Sequence, residues 1–176
     1  LYAEAADMRL SLLGALLLAA RLLDAAIDPL LGGWSDRTAS RQRLILLALP
    51  CLALGMLALL QPPASGAPWW LLASMLLTYF GFSLASVAYQ AWGAELGRDA
   101  GERTRLTASR EGFGLLGVVL AATLPGLLSP DLASGLSGVA QLFPLLLFAL
   151  AAWTLAGSPP SAARTPASGS LFGDLR

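Results

Sequence analysis

Five long runs of apolar residues, each interrupted by few or no charges, constrain this chain more tightly than any motif in it. They lie at about 10–33, 44–60, 69–92, 112–128 and 138–157. Roughly 20 apolar residues in a helix cross a hydrocarbon core of about 30 Å. Lipid offers the backbone no hydrogen-bond partners, so a segment that spans it must satisfy its own N–H and C=O groups, and a helix does so. The runs at 44–60 and 112–128 are short and are expected to extend by a turn at either end. Charged residues make up 12% of the sequence, against about 25% in ordinary soluble domains. The expected fold class is an all-α integral membrane protein with five transmembrane helices.

The connections between the runs set an orientation. QPPASGAP, between the second and third runs, carries no charge, and SPDLASGLS, between the fourth and fifth, carries one Asp. SDRTASRQR and ELGRDAGERTRLTASR, which follow the first and third runs, hold Arg37, Arg41, Arg43, Arg98, Arg103, Arg105 and Arg110. Arg164 and Arg176 follow the last run. Basic loops stay on the cytoplasmic side, so the N-terminus is expected outside and the C-terminus inside. The chain starts at Leu1 without a basic n-region or cleavage site, so no signal peptide is read. Five spans from an outside start then imply a further helix upstream. Trp69, Trp70 and Trp92 bracket the third run, where interfacial aromatics are expected. Residues 158–176, rich in Pro, Ser and Ala, read as a cytoplasmic linker. The setting implied is a plasma membrane, in a bacterium the inner one.

Composition also excludes functions. The net charge is zero, which gives no electrostatic basis for nucleic-acid binding, and there is no His to serve as general base or zinc ligand. Cys51 is the only cysteine, so neither an internal disulfide nor a thiolate metal site is available; it reads as an apolar filler. No cofactor is called for.

The first run contains Arg21, Asp24 and Asp28. At about 100° per residue they fall at about 0°, −60° and −20°, a narrow face. Each charge costs roughly 2.5–3.5 kcal/mol at a helix centre on insertion scales, so the face must turn into a bundle or a wet cavity. Arg21 neutralises one carboxylate, and the other calls for a proton or a cation such as Na⁺, which takes oxygen ligands. The competing reading is a closed ion-pair cluster that only orients helices. Pro29 frees the carbonyl of Ala25, which is a further oxygen for such a site. In the third run Tyr79, Ser83, Ser86 and Gln90 form a polar stripe suited to a hydrogen-bonded solute or to interhelical bonds. In the fourth, Gly114, Gly117 and Ala121 share a face that reads as a packing seam. Arg110 heads that run, as a snorkelling residue or a site group.

The run RLLDAAIDPLLGGWSDRT resembles the second transmembrane helix and following loop of the glycoside–pentoside–hexuronide:cation symporters, the melibiose-carrier-like branch of the major facilitator superfamily. AYQAWGAELGRDAGERTRLTASREGFGLLG is similar to that family's fourth helix, loop and fifth helix, and LFGDLR to the start of its central loop. The resemblance implies helices two to six of a twelve-helix fold whose C-terminal half is absent here. It implies that Asp24 and Asp28 bind the coupling Na⁺ or H⁺, and that Gly32, Asp36, Arg37, Arg41 and Arg43 belong to a loop that braces the cytoplasmic gate. The partners implied are a sugar or glycoside, the lipid bilayer and the other half of the transporter. The sequence departs from the family at Ser86, where melibiose carriers have an acidic residue, and at Gln90, where they have an aromatic one. Arg110 matches the family's sugar-site arginine once a one-residue gap is allowed. A lipid or other non-sugar solute is the alternative within the family. Outside it stand a Mg²⁺-dependent prenyltransferase, whose second acidic cluster has only Asp99 and Glu102 to draw on, and a non-transporting scaffold.

Overall fold

The computed structural model describes residues 2, 8–38, 40–63, 66–97 and 99–159. The linker from 160 onward lies outside the described residues, as do Ala39, Arg98, Arg164 and Arg176. Five helices follow one another: α1 (Leu10–Arg37), α2 (Arg41–Leu59), α3 (Ala67–Leu96), α4 (Ala100–Leu128) and α5 (Leu132–Gly157). All five are long and apolar enough to cross a membrane, and the described residues contain no strand.

Helix α4 starts at Ala100, well ahead of the apolar run that begins near 112. Hydropathy marks where a helix enters lipid, while capping marks where it begins. Here Asp99 Oδ1 accepts the backbone N–H of Glu102 at 2.8 Å, satisfying one of the free donors at the helix start. The charged stretch after it contains no proline and carries the helix into the membrane. Asp131 does the same for α5, accepting from the Ser134 hydroxyl at 2.7 Å and its backbone N–H at 2.9 Å. Those bonds hold its carboxyl below the usual carboxylate range. The connections at this level are short, so neighbouring helices run antiparallel. The ends of α1, α3 and α5 and the starts of α2 and α4 share one arginine-rich end of the bundle.

Helix α3 is the centre. It packs most extensively on α2 and next on α1, while α5 lies against α2 and α4. Glycine makes the α2–α3 crossing possible. A Cβ on Gly81 would stand 2.5 Å from the backbone nitrogen of Leu52, and one on Gly55 2.5 Å from Thr78 Oγ1. In lipid, helices gain little from hiding apolar surface and associate through such close backbone packing. The seam expected along Gly114, Gly117 and Ala121 is not used here: the space beside both glycines is open, and Pro125 is the one buried residue of α4. Helix α4 instead meets α5 at its far end, where a Cβ on Gly135 would come within 2.9 Å of the Pro125 carbonyl carbon.

Two clusters of buried side chains result. At the arginine-rich end Leu31, Leu44, Ile45, Ala48, Leu84, Ala88 and Trp92 pack together. Toward the other end Ala20, Leu71 and Met75 do so with Tyr2 and Met8. Trp92 departs from its expected place at the interface. It is 1% exposed, because α1 and α2 converge on the last turns of α3 and enclose it. Trp69 and Trp70 are exposed, and Trp70 donates Nε1–H to the Ala58 carbonyl at 2.7 Å.

Candidate ion and solute site

The buried residues of α1 are Ala20, Asp24, Leu31 and Ser35, a single stripe turned toward the bundle. Asp24 is the charge that this stripe carries into the interior, at 9% exposure. Its Oδ1 accepts from the Ser83 hydroxyl of α3 at 3.2 Å. Its Oδ2 accepts from an Arg21 guanidinium nitrogen at 3.1 Å. The Arg21 guanidinium also stands 5.7 Å from the centroid of the Tyr79 ring, within cation–π range. Tyr79 and Ser83 are one turn apart on α3, so both reach the same level of α1. Four of the expected residues, Arg21, Asp24, Tyr79 and Ser83, are thereby brought together. A carboxylate taken out of water needs such partners, because an unpaired buried charge is costly by several kcal/mol.

Asp28 is placed differently. It is exposed and has no hydrogen bond or ion pair with a described residue. The helix geometry explains the split. With Arg21 at 0°, the buried stripe of α1 centres near about −70°, whereas Asp28 lies near about −20°. Asp28 and Arg21 therefore stand on the flank of α1 that α3 leaves open, and the Arg21 side chain is 70% exposed there. The common face expected for the three charges is divided between a helix contact and an open flank. Ala25, whose carbonyl Pro29 frees, is exposed about 100° around the helix from Asp24.

The remaining stripe residues lie lower. Ser86 is half-buried on α3. Gln90 and Arg110 both line a cleft of about 350 Å³ between α3, α4 and α5 at the arginine-rich end. Arg110 is paired with the adjacent Glu111. The structure thus gathers the candidates into two groups, an acidic one between α1 and α3 and a basic one farther along α3.

The loop residues are divided as well. Arg41 is 3% exposed at the start of α2. It donates to the Ser35 hydroxyl at 2.7 Å and to the Ser35 carbonyl, and it pairs with Asp36 Oδ1 and Glu95 Oε1, each at 3.4 Å. One side chain therefore ties together the end of α1, the start of α2 and the end of α3. Arg37 and Arg43 are exposed and have no partner among the described residues. Gly32 lies one turn before Asp36 with open space beside it. Ser35 and Glu95 were not anticipated as site residues. Each left a signal in the sequence: Glu95 is the one charge in α3, and Ser35 continues the spacing of Asp24 and Leu31.

A family model described as MFS/sugar transport protein matches residues 1–170. No curated protein and no solved structure matches the chain.

Proposed function

The chain belongs to the MFS/sugar transport protein family, and from that premise we propose that it forms helices two to six of a twelve-helix, cation-coupled symporter of the glycoside–pentoside–hexuronide type. The observation that carries this reading is the carboxylate of Asp24, buried between α1 and α3, with Asp28 one turn away on an open, charged flank of α1. Carboxylate and hydroxyl oxygens suit a proton or Na⁺, and the donor set of Asp24 and Ser83 supplies both kinds. An open flank bearing Arg21 and Asp28 is too costly to face lipid. The absent upstream helix and C-terminal half are what the proposal sets against it. Gln90, Ser86 and Arg110 then line the route of a sugar or glycoside, and alternating access rocks this bundle against the other half around the midplane. The clamp at Arg41 belongs to the gate at the cytoplasmic end.

The prenyltransferase reading has less to draw on. Asp99 and Glu102 are engaged at the start of α4, at the arginine-rich end of the bundle, whereas Asp24 lies midway along α1. No group of three or more His, Cys, Asp or Glu gathers among the described residues.

Uptake of a labelled sugar or glycoside into vesicles containing the whole transporter, with and without an imposed Na⁺ or H⁺ gradient, tests the proposal. Stimulation by one of the two cations is expected, and stimulation by neither overturns coupling. Orientation is tested separately with single cysteines at Ser40 and Gln61 in a Cys51→Ser background. An impermeant thiol reagent on intact cells is expected to label position 61 and not position 40. The reverse pattern contradicts the arginine rule as applied here.

A further inference from the structure

The cleft at the arginine-rich end has a chemistry of its own. From α4 it is lined by Arg103, Thr107 and Arg110, spaced to share one face of the helix; from α5 Ser158 closes it, and Trp92 and Gly93 of α3 form the facing wall. No acidic side chain lines it. Arg103 uses its Nε to bind the Gly97 carbonyl at 3.2 Å, which fixes the side chain and leaves its two terminal nitrogens without partners among the described residues. The indole N–H of Trp92 is fully buried, so it lies behind this wall and not on the surface of the cleft. The Arg103 guanidinium, that of Arg110, which it shares with Glu111, and the hydroxyls of Thr107 and Ser158 offer donors, and such a set suits a phosphate.

The surroundings indicate where that phosphate comes from. Ser158 caps the end of α5, and Arg103 lies one turn inside α4, so the cleft sits at the depth of a headgroup rather than the bilayer centre. Beside it, α4 and α5 present Phe113, Leu116, Leu150 and Trp153 outward, all exposed and apolar, as a bed for acyl chains. We propose that the cleft between α3, α4 and α5 binds the phosphate headgroup of an anionic phospholipid from the adjoining leaflet. Basic pockets between membrane helices on the cytoplasmic side are suited to such headgroups. Gln90 and Arg110 are shared with the solute route proposed above, so the inference rests on Arg103, Thr107 and Ser158, nearer the helix ends, and requires neither the coupling cation nor the sugar.

The test is lipid binding by the purified full-length protein, read by native mass spectrometry after titration with phosphatidylglycerol or phosphatidylcholine in detergent. Phosphatidylglycerol is expected to bind more tightly. Arg103→Gln is expected to weaken it about fivefold, the value of one arginine near an anionic surface. Thr107→Val keeps the branched shape and removes only a lining hydroxyl, and is expected to weaken phosphatidylglycerol while leaving the melting temperature within a few degrees, since Thr107 is exposed. Arg43→Gln removes a cytoplasmic-end charge outside the cleft and should leave the affinity within about twofold, since exposed charges of this kind are screened. Equal loss in Arg43→Gln and Arg103→Gln would show general surface attraction and overturn the site. Equal binding of the two lipids would do the same. Glycerol phosphate competing at the affinity of the lipid would overturn the lipid assignment in favour of a soluble phosphoester.

Discussion

Asp24→Asn is expected to reduce gradient-driven uptake to the level seen with no gradient, while exchange of solute at equilibrium survives. The reason is local. The carboxylate is 9% exposed and is held by one hydroxyl and one guanidinium. The amide has nearly the same shape and can still accept from Ser83, but it carries no charge for a proton or cation to answer. Asp28→Asn is the cleaner variant. Asp28 is exposed and has no bond within the described bundle, so its removal should leave expression and melting unchanged. Loss of gradient stimulation in Asp28→Asn at normal protein levels therefore reports coupling and not packing. A merely structural cluster makes the opposite forecast: reduced protein for Asp24→Asn, intact stimulation in what remains, and no effect at Asp28. Uptake normalised to protein in the membrane decides between them, and unchanged stimulation in both variants would sink the cation site.

Arg41→Gln is expected to lower stability by about 3–5 kcal/mol, the usual consequence of stripping one partner from a buried ion pair. Arg41 is 3% exposed, and Glu95 is 14% exposed in its side chain. The second oxygen of Glu95, Oε2, is already buried with no partner among the described residues. Removing the guanidinium leaves that carboxylate with no ion-pair partner among the described residues and also releases the Ser35 carbonyl at the end of α1. Adding Glu95→Gln should recover a large part of the loss, because exchange of both members of a buried pair is often near neutral. Thermal melting of the three proteins in one detergent measures the effect. A single variant that costs less than about 1 kcal/mol would place Arg41 among ordinary surface charges, as would a double variant no better than the single. Arg43→Gln, two residues on and exposed, should melt like the parent.

The helices were legible because lipid imposes one rule on every span, and hydropathy reports it directly. Their beginnings were less so. The start of α4 is set by Asp99 and Glu102, a capping pair that lies inside a stretch whose charges look like a loop. In the site, the sequence placed Arg21, Asp24 and Asp28 on one face, but a face spans some tens of degrees and a helix contact is narrower. Which charge meets α3 depends on the rotation of α1, and that is set by Ala20, Leu31 and Ser35 packing together. Trp92 illustrates the same limit. Its position at the end of a span fits an interface, and only the convergence of α1 and α2 makes it interior. The small residues of α4 looked like a seam from spacing alone, while Gly55 and Gly81, which make the tight crossing, lie in helices with no such repeat to advertise them.

The glycine-mediated crossing of α2 and α3 bears on how the protein is made. These two helices are consecutive, joined by a short connection, and meet through backbone contacts that need no other helix. They can associate in the bilayer as soon as α3 leaves the translocation machinery, before α4 is inserted. Helix α1 is already waiting beside them with Asp24 and Arg21 in a costly environment, and Ser83 and Tyr79 arrive only with α3. Biogenesis then has a natural order, in which the hairpin forms first and rescues the charged helix that preceded it. Disturbing Gly81 strikes that order at its earliest step, so its consequence falls on the yield of inserted protein rather than on the transport rate of the molecules that assemble.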